Sequence, residues 1–143
     1  MRALLEVNVL IALLDGGHAM HRSATDWLTR ECHKGWASCP LTQNGVIRIM
    51  SQPSYPTPRP AALVAERLAL ACSAPEHTFW PADVSLLATG LIDWQHLLGH
   101  RQVTDAYLLA LAVRQQGRLV TFDQRIRTDM VFGARPEHLE VVV

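Results

Sequence analysis

The sequence has little cysteine, and the cysteines that it has are not arranged for a structural role. There are three cysteines, an odd number, and no two of them have the C-x-x-C spacing. They are Cys32, Cys39 and Cys72. Their number and spacing argue against a disulfide scaffold and against a thiolate zinc site. We therefore expect the protein to work in a reducing compartment, the cytoplasm.

The chain also lacks net charge, because acidic and basic residues are equal in number at 13 each. A neutral molecule has no long-range field that would draw nucleic acid towards it. Lys34 is the only lysine, and the other basic residues are arginines. Arginine suits bidentate contacts with phosphate, but coding from a GC-rich genome produces the same bias, and the composition fits both explanations.

Long apolar runs are absent as well, so we expect no membrane-spanning segment. Arg2 precedes an apolar stretch, but Glu6 and Asn8 interrupt it, which is not typical of a secretory signal. Hydrophobic residues nevertheless make up 49% of the 143 positions, which is typical of a folded chain with its own core. We expect a single domain over residues 1–143.

Short apolar stretches alternate with helical patterns along the chain. Strands are predicted over residues 3–6, 36–39, 118–122 and 139–142, with a weaker candidate at 78–81. Helices are predicted over residues 23–33, 41–50, 60–72 and 103–117. The continuous apolar character of the strands is typical of parallel strands covered on both faces. The pattern predicts an α/β three-layer sandwich with a central four- or five-stranded parallel sheet.

Several polar residues fall where the carboxyl ends of these strands would meet. Glu6 closes the first predicted strand and Asn8 follows it, while Thr121 and Asp123 lie at the end of another strand. Asp105 opens the most apolar helix. Ligands gather beyond the carboxyl ends of strands in open α/β sheets. Three carboxylates brought together there would repel one another unless a hard divalent cation lay between them.

Each carboxylate also has a simpler explanation. Asp105 fits the first turn of a helix capped by Thr104, where the helix dipole favours a negative charge. Asp123 fits the cap of a short helix over residues 124–128, and Glu6 fits a pair with one of the arginines. The spacing of the residues leaves these alternatives open.

Four segments together resemble the PIN-domain family, specifically the VapC-type toxin ribonucleases. They are, in chain order, LLEVNVLIALLDGGHAMH, CPLTQNGVIRIMSQP, RQVTDAYLLALAV and GRLVTFDQRI. The resemblance implies a metal-dependent endoribonuclease with Mg²⁺ or Mn²⁺ as cofactor. It also implies a homodimer inhibited by a cognate VapB-like antitoxin, with a loop of transfer or ribosomal RNA as the substrate class.

The resemblance also implies roles for particular residues. The acidic, metal-binding positions of the family map onto Glu6, Asp105 and Asp123, and its supporting polar positions onto Asn8 and Thr121. The chain departs from the family pattern at two catalytic positions. Glu6 stands where aspartate is usual, and a neutral glutamine, Gln43 of the TQNG stretch, stands where glutamate is common.

These departures keep a second functional class open. Because Glu6 and Gln43 differ from the residues usual in the family, the chain also fits a catalytically weak PIN domain that acts as a module binding RNA or an antitoxin. A phosphoacceptor domain, which shares the α/β sheet and acidic pocket, would require a lysine near the last strand. Lys34 lies far from it in sequence, so we set that class aside.

Overall fold

Five parallel strands form one sheet in the computed structural model, which describes residues 1–143. They lie in the order β3-β2-β1-β4-β5, and every neighbouring pair is parallel. The strands are β1 (Ala3–Leu5), β2 (Trp36–Ser38), β3 (His77–Phe79), β4 (Arg118–Thr121) and β5 (Leu139–Val141). The predicted α/β fold is confirmed, and the weak candidate near residue 78 is the edge strand β3.

Five α-helices connect these strands. They are α1 (Val7–Leu14), α2 (His21–Glu31), α3 (Pro40–Met50), α4 (Ala61–Cys72) and α5 (Val103–Arg114). None of them is both long enough and apolar enough to cross a membrane. The long connection over residues 80–99 has no helix, and its Ile92 forms an isolated antiparallel bridge with Val131.

The strands end earlier than the apolar pattern predicts, because the next helix begins at once. Glu6 and Cys39, which we predicted as the last residues of two strands, are the N-cap residues of α1 and α3. Helix α1 itself was not predicted as a helix, since its eight residues are almost all apolar and show no polar face. The chain thus turns from strand to helix within one residue at Glu6.

The sheet separates two apolar cores. Leu4 and Leu119 point into the core beneath α5, whereas Leu5 and Val120 point into the core formed with α1 to α4. Side chains along a strand alternate between the two faces, so a buried parallel sheet requires apolar residues at every position. This arrangement is the predicted three-layer sandwich.

The order of strands reverses between β1 and β4. The chain first builds outward from β1 to β2 and β3, then returns through α5 to place β4 on the other side of β1. Connections leave the sheet in opposite directions at such a point, which opens a crevice at the carboxyl ends of the two strands. The residues that follow β1 and β4 therefore face a common space.

Gly117 allows α5 and β4 to lie close to β1. A Cβ atom at this position would come within 2.6 Å of the Arg2 carbonyl oxygen and 2.6 Å of a ring carbon of Trp80. Gly117 also donates its N–H to the Ala112 carbonyl at 2.8 Å, so its backbone is held in place. A side chain here must displace the backbone of the central strand.

We expect Gly117→Ala to lower the free energy of unfolding by about 1–3 kcal/mol, the usual cost of overpacking. Chemical denaturation followed by circular dichroism measures this change. Gly99→Ala is the matched control, because a Cβ there would meet nothing within 4 Å. Equal stability of the two variants would contradict the close approach at Gly117.

Candidate active site

Glu6 is held at the end of β1 by contacts on both sides. Its N–H donates to the Val120 carbonyl of β4 at 3.0 Å, which continues the pairing of the two strands. Its carboxylate oxygen Oε2 accepts the N–H of Asn8 at 3.1 Å, in the first turn of α1. The partly buried carboxylate is therefore stabilised by the amino end of a helix as well as by one hydrogen bond.

Asp123 is positioned by a turn that begins in β4. The Thr121 hydroxyl, which is fully buried, accepts the N–H of Asp123 at 3.0 Å. Oδ1 of Asp123 then accepts the N–H of Arg125 at 2.9 Å. Thr121 thus contributes to the site through the backbone, by fixing the direction in which the chain leaves β4.

Asp105 comes from the first turn of α5. It is partly buried, and burial together with the charge of Asp123 raises the pKa of its carboxyl above the usual range. The helix begins at Val103 with Gln102 as its N-cap, so Thr104 is not the cap that the alternative explanation requires.

A cavity of about 520 Å³ brings the carboxylates together at the carboxyl edge of β1 and β4. Its walls include Glu6, Asn8, Asp105, Thr121 and Asp123, together with Phe122, Gln124 and Arg125. Five of the six residues that the sequence singles out thus face one space.

Burial and like charge both act on the carboxyl of Glu6 in this cavity. Burial, followed by the charges of Asp105 and Asp123, raises this pKa to about 7 from an ordinary value of 4.5. By contrast, hydrogen bonds from Arg125 hold the pKa of Asp123 below its usual range. The carboxyls of Glu6 and Asp123 therefore have very different proton affinities although they share a cavity.

The donor atoms suit a hard cation, since the three acidic groups of the cavity supply carboxylate oxygens and such ions prefer oxygen ligands. No group of three histidine, cysteine, aspartate or glutamate side chains is arranged so that it could hold a metal ion as it stands. Both oxygens of Asp123 face Arg125, with Nε at 3.0 Å and Nη2 at 3.2 Å. The donor set therefore fits a divalent cation in its chemistry, and Asp123 would have to turn from Arg125 to contribute.

Two of the simpler explanations for the carboxylates do not match the structure. Residues 124 and 125 form a turn and a short 3-10 helix begins only at Thr128, so Asp123 does not cap a helix over residues 124–128. Glu6 takes part in none of the ion pairs of the molecule, so no arginine neutralises it. Of the three, only Asp105 retains its alternative, because a carboxylate in a first helical turn is favourable by itself.

Gln43 lies apart from the other predicted site residues. Its Nε2 donates to the hydroxyl of Ser38 at 3.0 Å, and Ser38 also bonds Nε2 of His77 at 2.8 Å. The side chain lines a second cavity of about 370 Å³ between α3 and α4. Gln43 thus follows a neighbouring strand of the same sheet but belongs to a separate polar cluster.

Arg125 is the residue of this cavity that the sequence analysis missed. Its guanidinium makes a two-pronged pair with Asp123, and its side chain is 82% exposed. The available signal was the spacing D-x-R directly after a strand. In a turn, side chains two residues apart lie on the same side of the chain, so the arginine can contact the aspartate. The signal is weak, because 12 of the 13 basic residues of the chain are arginines.

Comparison with known proteins identifies relatives over nearly the whole chain. Residues 3–128 match the family described as PIN domain. Ribonuclease VapC44 of Mycobacterium tuberculosis is 52% identical over 139 residues, which cover 97% of this chain and 98% of that protein. Ribonuclease VapC39 of the same organism is 46% identical over 125 residues, covering 86% and 89%.

Two solved structures share the fold. VapBC2 from Rickettsia felis, crystallised with a DNA fragment from its promoter, matches with a TM-score of 0.62 and 14% identity over 100% of both chains. VapC20 of Mycobacterium tuberculosis, described as a sarcin–ricin loop cleaving toxin, matches with a TM-score of 0.56 and 15% identity over 81% of this chain and 85% of that one. At such identities the likeness concerns the fold alone.

The relatives and the fold agree with the resemblance that the sequence motifs carry. The family match spans most of the chain, and the identity to the named ribonucleases extends over nearly their full length. The chain belongs to the PIN-domain family and, within it, to the VapC ribonucleases.

Proposed function

We propose that the protein is an endoribonuclease toxin that hydrolyses phosphodiester bonds in RNA with the aid of Mg²⁺ or Mn²⁺. Glu6, Asp105 and Asp123 would hold the cation. The observation that carries this proposal is that all three carboxylates line a single cavity. The similarity of the chain to named ribonucleases supports it. When bound, the cation would activate a water molecule and neutralise charge on the phosphate.

The residues of the cavity divide the remaining work. Because burial raises the pKa of Glu6 to about 7, this carboxyl must release its proton before it can bind a cation at neutral pH. Thr121 fixes the turn that carries Asp123, and Asn8 presents its exposed amide at the cavity wall. No side-chain nucleophile lines the cavity apart from Thr121, whose hydroxyl is buried and already engaged, so direct attack by water is the mechanism that we propose.

A single-stranded loop of transfer or ribosomal RNA is the substrate class that we propose. Seven of the eight residues that line the cavity are polar or charged, which suits the sugar–phosphate backbone of RNA. Unstacked bases in a loop expose their backbone and edges, which paired RNA does not. The cytoplasm, where such RNA occurs, is the location that we propose.

A cognate VapB-like antitoxin and a second copy of the chain are the proposed protein partners. An apolar groove of about 310 Å³ between α1, α2 and α4 offers a surface for an antitoxin segment. Elsewhere, large apolar side chains are exposed, and such patches are typical of interfaces. They include Leu87, Trp94, Leu98 and Phe132.

A weak or inactive PIN domain that only binds RNA or antitoxin is the second candidate. Two observations favour it. Gln43 adds no charge and lies in a separate cluster, and both oxygens of Asp123 are held by Arg125. Cleavage of a labelled RNA pool with Mg²⁺ or Mn²⁺, compared with chelator, separates the two candidates. Cleavage that requires the metal supports the enzyme, and binding without cleavage supports the module.

The first prediction concerns Asp105. We expect Asp105→Asn to lower metal-dependent RNA cleavage by about a hundredfold or more, because one charge is lost and misplacement of about 1 Å costs on this order. Rates of cleavage of a labelled RNA at saturating Mn²⁺ measure the loss. Asp26→Asn is the control, since Asp26 is an exposed aspartate of α2 outside the cavity. Equal rates for the two variants would contradict a role for Asp105.

The second prediction concerns the length of the Glu6 side chain. Mg²⁺ requires nearly ideal octahedral geometry at about 2.1 Å, and glutamate carries one methylene more than the aspartate usual at this position. We expect Glu6→Asp to raise the cleavage rate at constant charge, with an increase of about tenfold or more. An unchanged rate would mean that Glu6 already places its carboxylate correctly or does not bind the cation.

The third prediction follows from the raised pKa of Glu6. The folded protein binds a proton there up to about pH 7, whereas the unfolded chain releases it near the ordinary value of 4.5. Stability is therefore lost as pH rises through this window, by about 2–3 kcal/mol. We expect Glu6→Gln to raise the melting temperature at pH 8 but not at pH 4.5, and Mg²⁺ to stabilise the wild type at pH 8.

Thermal denaturation at the two pH values measures this effect. Glu66→Gln is the matched control, because Glu66 is an exposed glutamate of α4. We expect no pH-dependent difference for it. A Glu6→Gln variant that is destabilised equally at both pH values would show that ionised Glu6 is not strained in the folded protein.

A further inference from the structure

Arg125 holds the Asp123 carboxylate through three hydrogen bonds. Nε bonds Oδ1 at 3.0 Å, Nη2 bonds Oδ2 at 3.2 Å, and the backbone N–H of the same residue bonds Oδ1 at 2.9 Å. A guanidinium in this fork arrangement satisfies both oxygens of a carboxylate at once. The carboxylate of Asp123 makes no hydrogen bond to any other side chain.

The position of Arg125 distinguishes it from other paired arginines. It lies on the rim between the 520 Å³ cavity and an adjoining cavity of about 210 Å³, and Asp105 and Asp123 line both. Its side chain is 82% exposed, so it can leave the carboxylate without losing packing. Arg127 makes a similar two-pronged pair with Asp129, but that pair lines neither cavity.

We propose that Arg125 exchanges partners, holding the Asp123 carboxylate in the metal-free protein and binding an RNA phosphate once a divalent cation has taken that carboxylate. This inference rests on the proposed cation site. The guanidinium and the cation compete for the same two oxygens. Once released, the guanidinium stays at the rim of the cavity, where its fork of donors matches a phosphate as well as a carboxylate.

Two consequences follow from the exchange. The pair with Asp123 weakens cation binding, and for a pair this exposed the effect on the binding constant is about fivefold or less. Cation and RNA also strengthen each other's binding by the same factor, since each favours the state in which Arg125 has left Asp123. Arg125 would thus couple loading of the cation to capture of the substrate.

Calorimetric titration of the metal-free full chain with Mn²⁺ tests the competition. We expect Arg125→Gln to bind Mn²⁺ about fivefold more tightly than the wild type, because the competing charge is gone. Arg127→Gln, the matched control, should bind like the wild type. Equal Mn²⁺ affinity of Arg125→Gln and the wild type overturns the inference and leaves the cation site in place. Failure of all three proteins to bind Mn²⁺ overturns the proposed cation site and the inference together.

Binding of a labelled 12-nucleotide single-stranded DNA, which carries phosphates without being the substrate, tests the second half. At saturating Mn²⁺ we expect the slope of log affinity against log salt to be smaller by about 0.7 for Arg125→Gln than for the wild type. This is the contribution of one phosphate contact in a single strand. With chelator the slopes should agree, since Asp123 then holds Arg125. An equal slope in Mn²⁺, or no binding by the wild type, overturns the exchange.

Discussion

The pairing of β1 with β4 in the middle of the sheet creates the functional cavity. Ala3 lies opposite Arg118 and Leu5 opposite Val120, and Glu6 extends the ladder by one more hydrogen bond to Val120. This pair is also the point at which the strand order reverses, so the connecting helices diverge and leave a crevice between them. Glu6 and Asp123 enter that crevice because they are the first polar residues after β1 and β4, and Asp105 reaches it from the first turn of α5.

Burial of charge at this crevice is only partly offset. The amino end of α1 stabilises Glu6 through the N–H of Asn8, yet burial and the neighbouring charges still raise its pKa to about 7. Asp123, in contrast, is neutralised by Arg125, and its pKa is lowered. In the metal-free chain, burial and neighbouring charges thus raise the proton affinity of Glu6, whereas Arg125 lowers that of Asp123.

The proposed ribonuclease function accounts for this unfavourable cluster. A structural protein would replace Glu6 and Asp105 by apolar residues, since the cores on both faces of the sheet are otherwise nearly free of charge. Three carboxylates at the crevice, beside an exposed arginine, fit the proposed site, which a cation and the phosphates of a substrate would complete. Gln43 is neutral and belongs to a separate cluster, so the negative charge at the crevice comes from these three groups alone.

The sequence by itself determined the α/β fold, the parallel sheet and the identity of the three carboxylates. Continuous apolar strands such as residues 118–122 require cover on both faces, and strand ends in such a sheet share one edge. Strand ends and α1 were less well predicted, because Glu6 and Cys39 act as caps only once the chain has turned. Only the tertiary structure decided which side chains meet. It separated Gln43 from Glu6 and paired Asp123 with Arg125, since rotamers and close packing, rather than spacing along the chain, determine the direction of a side chain.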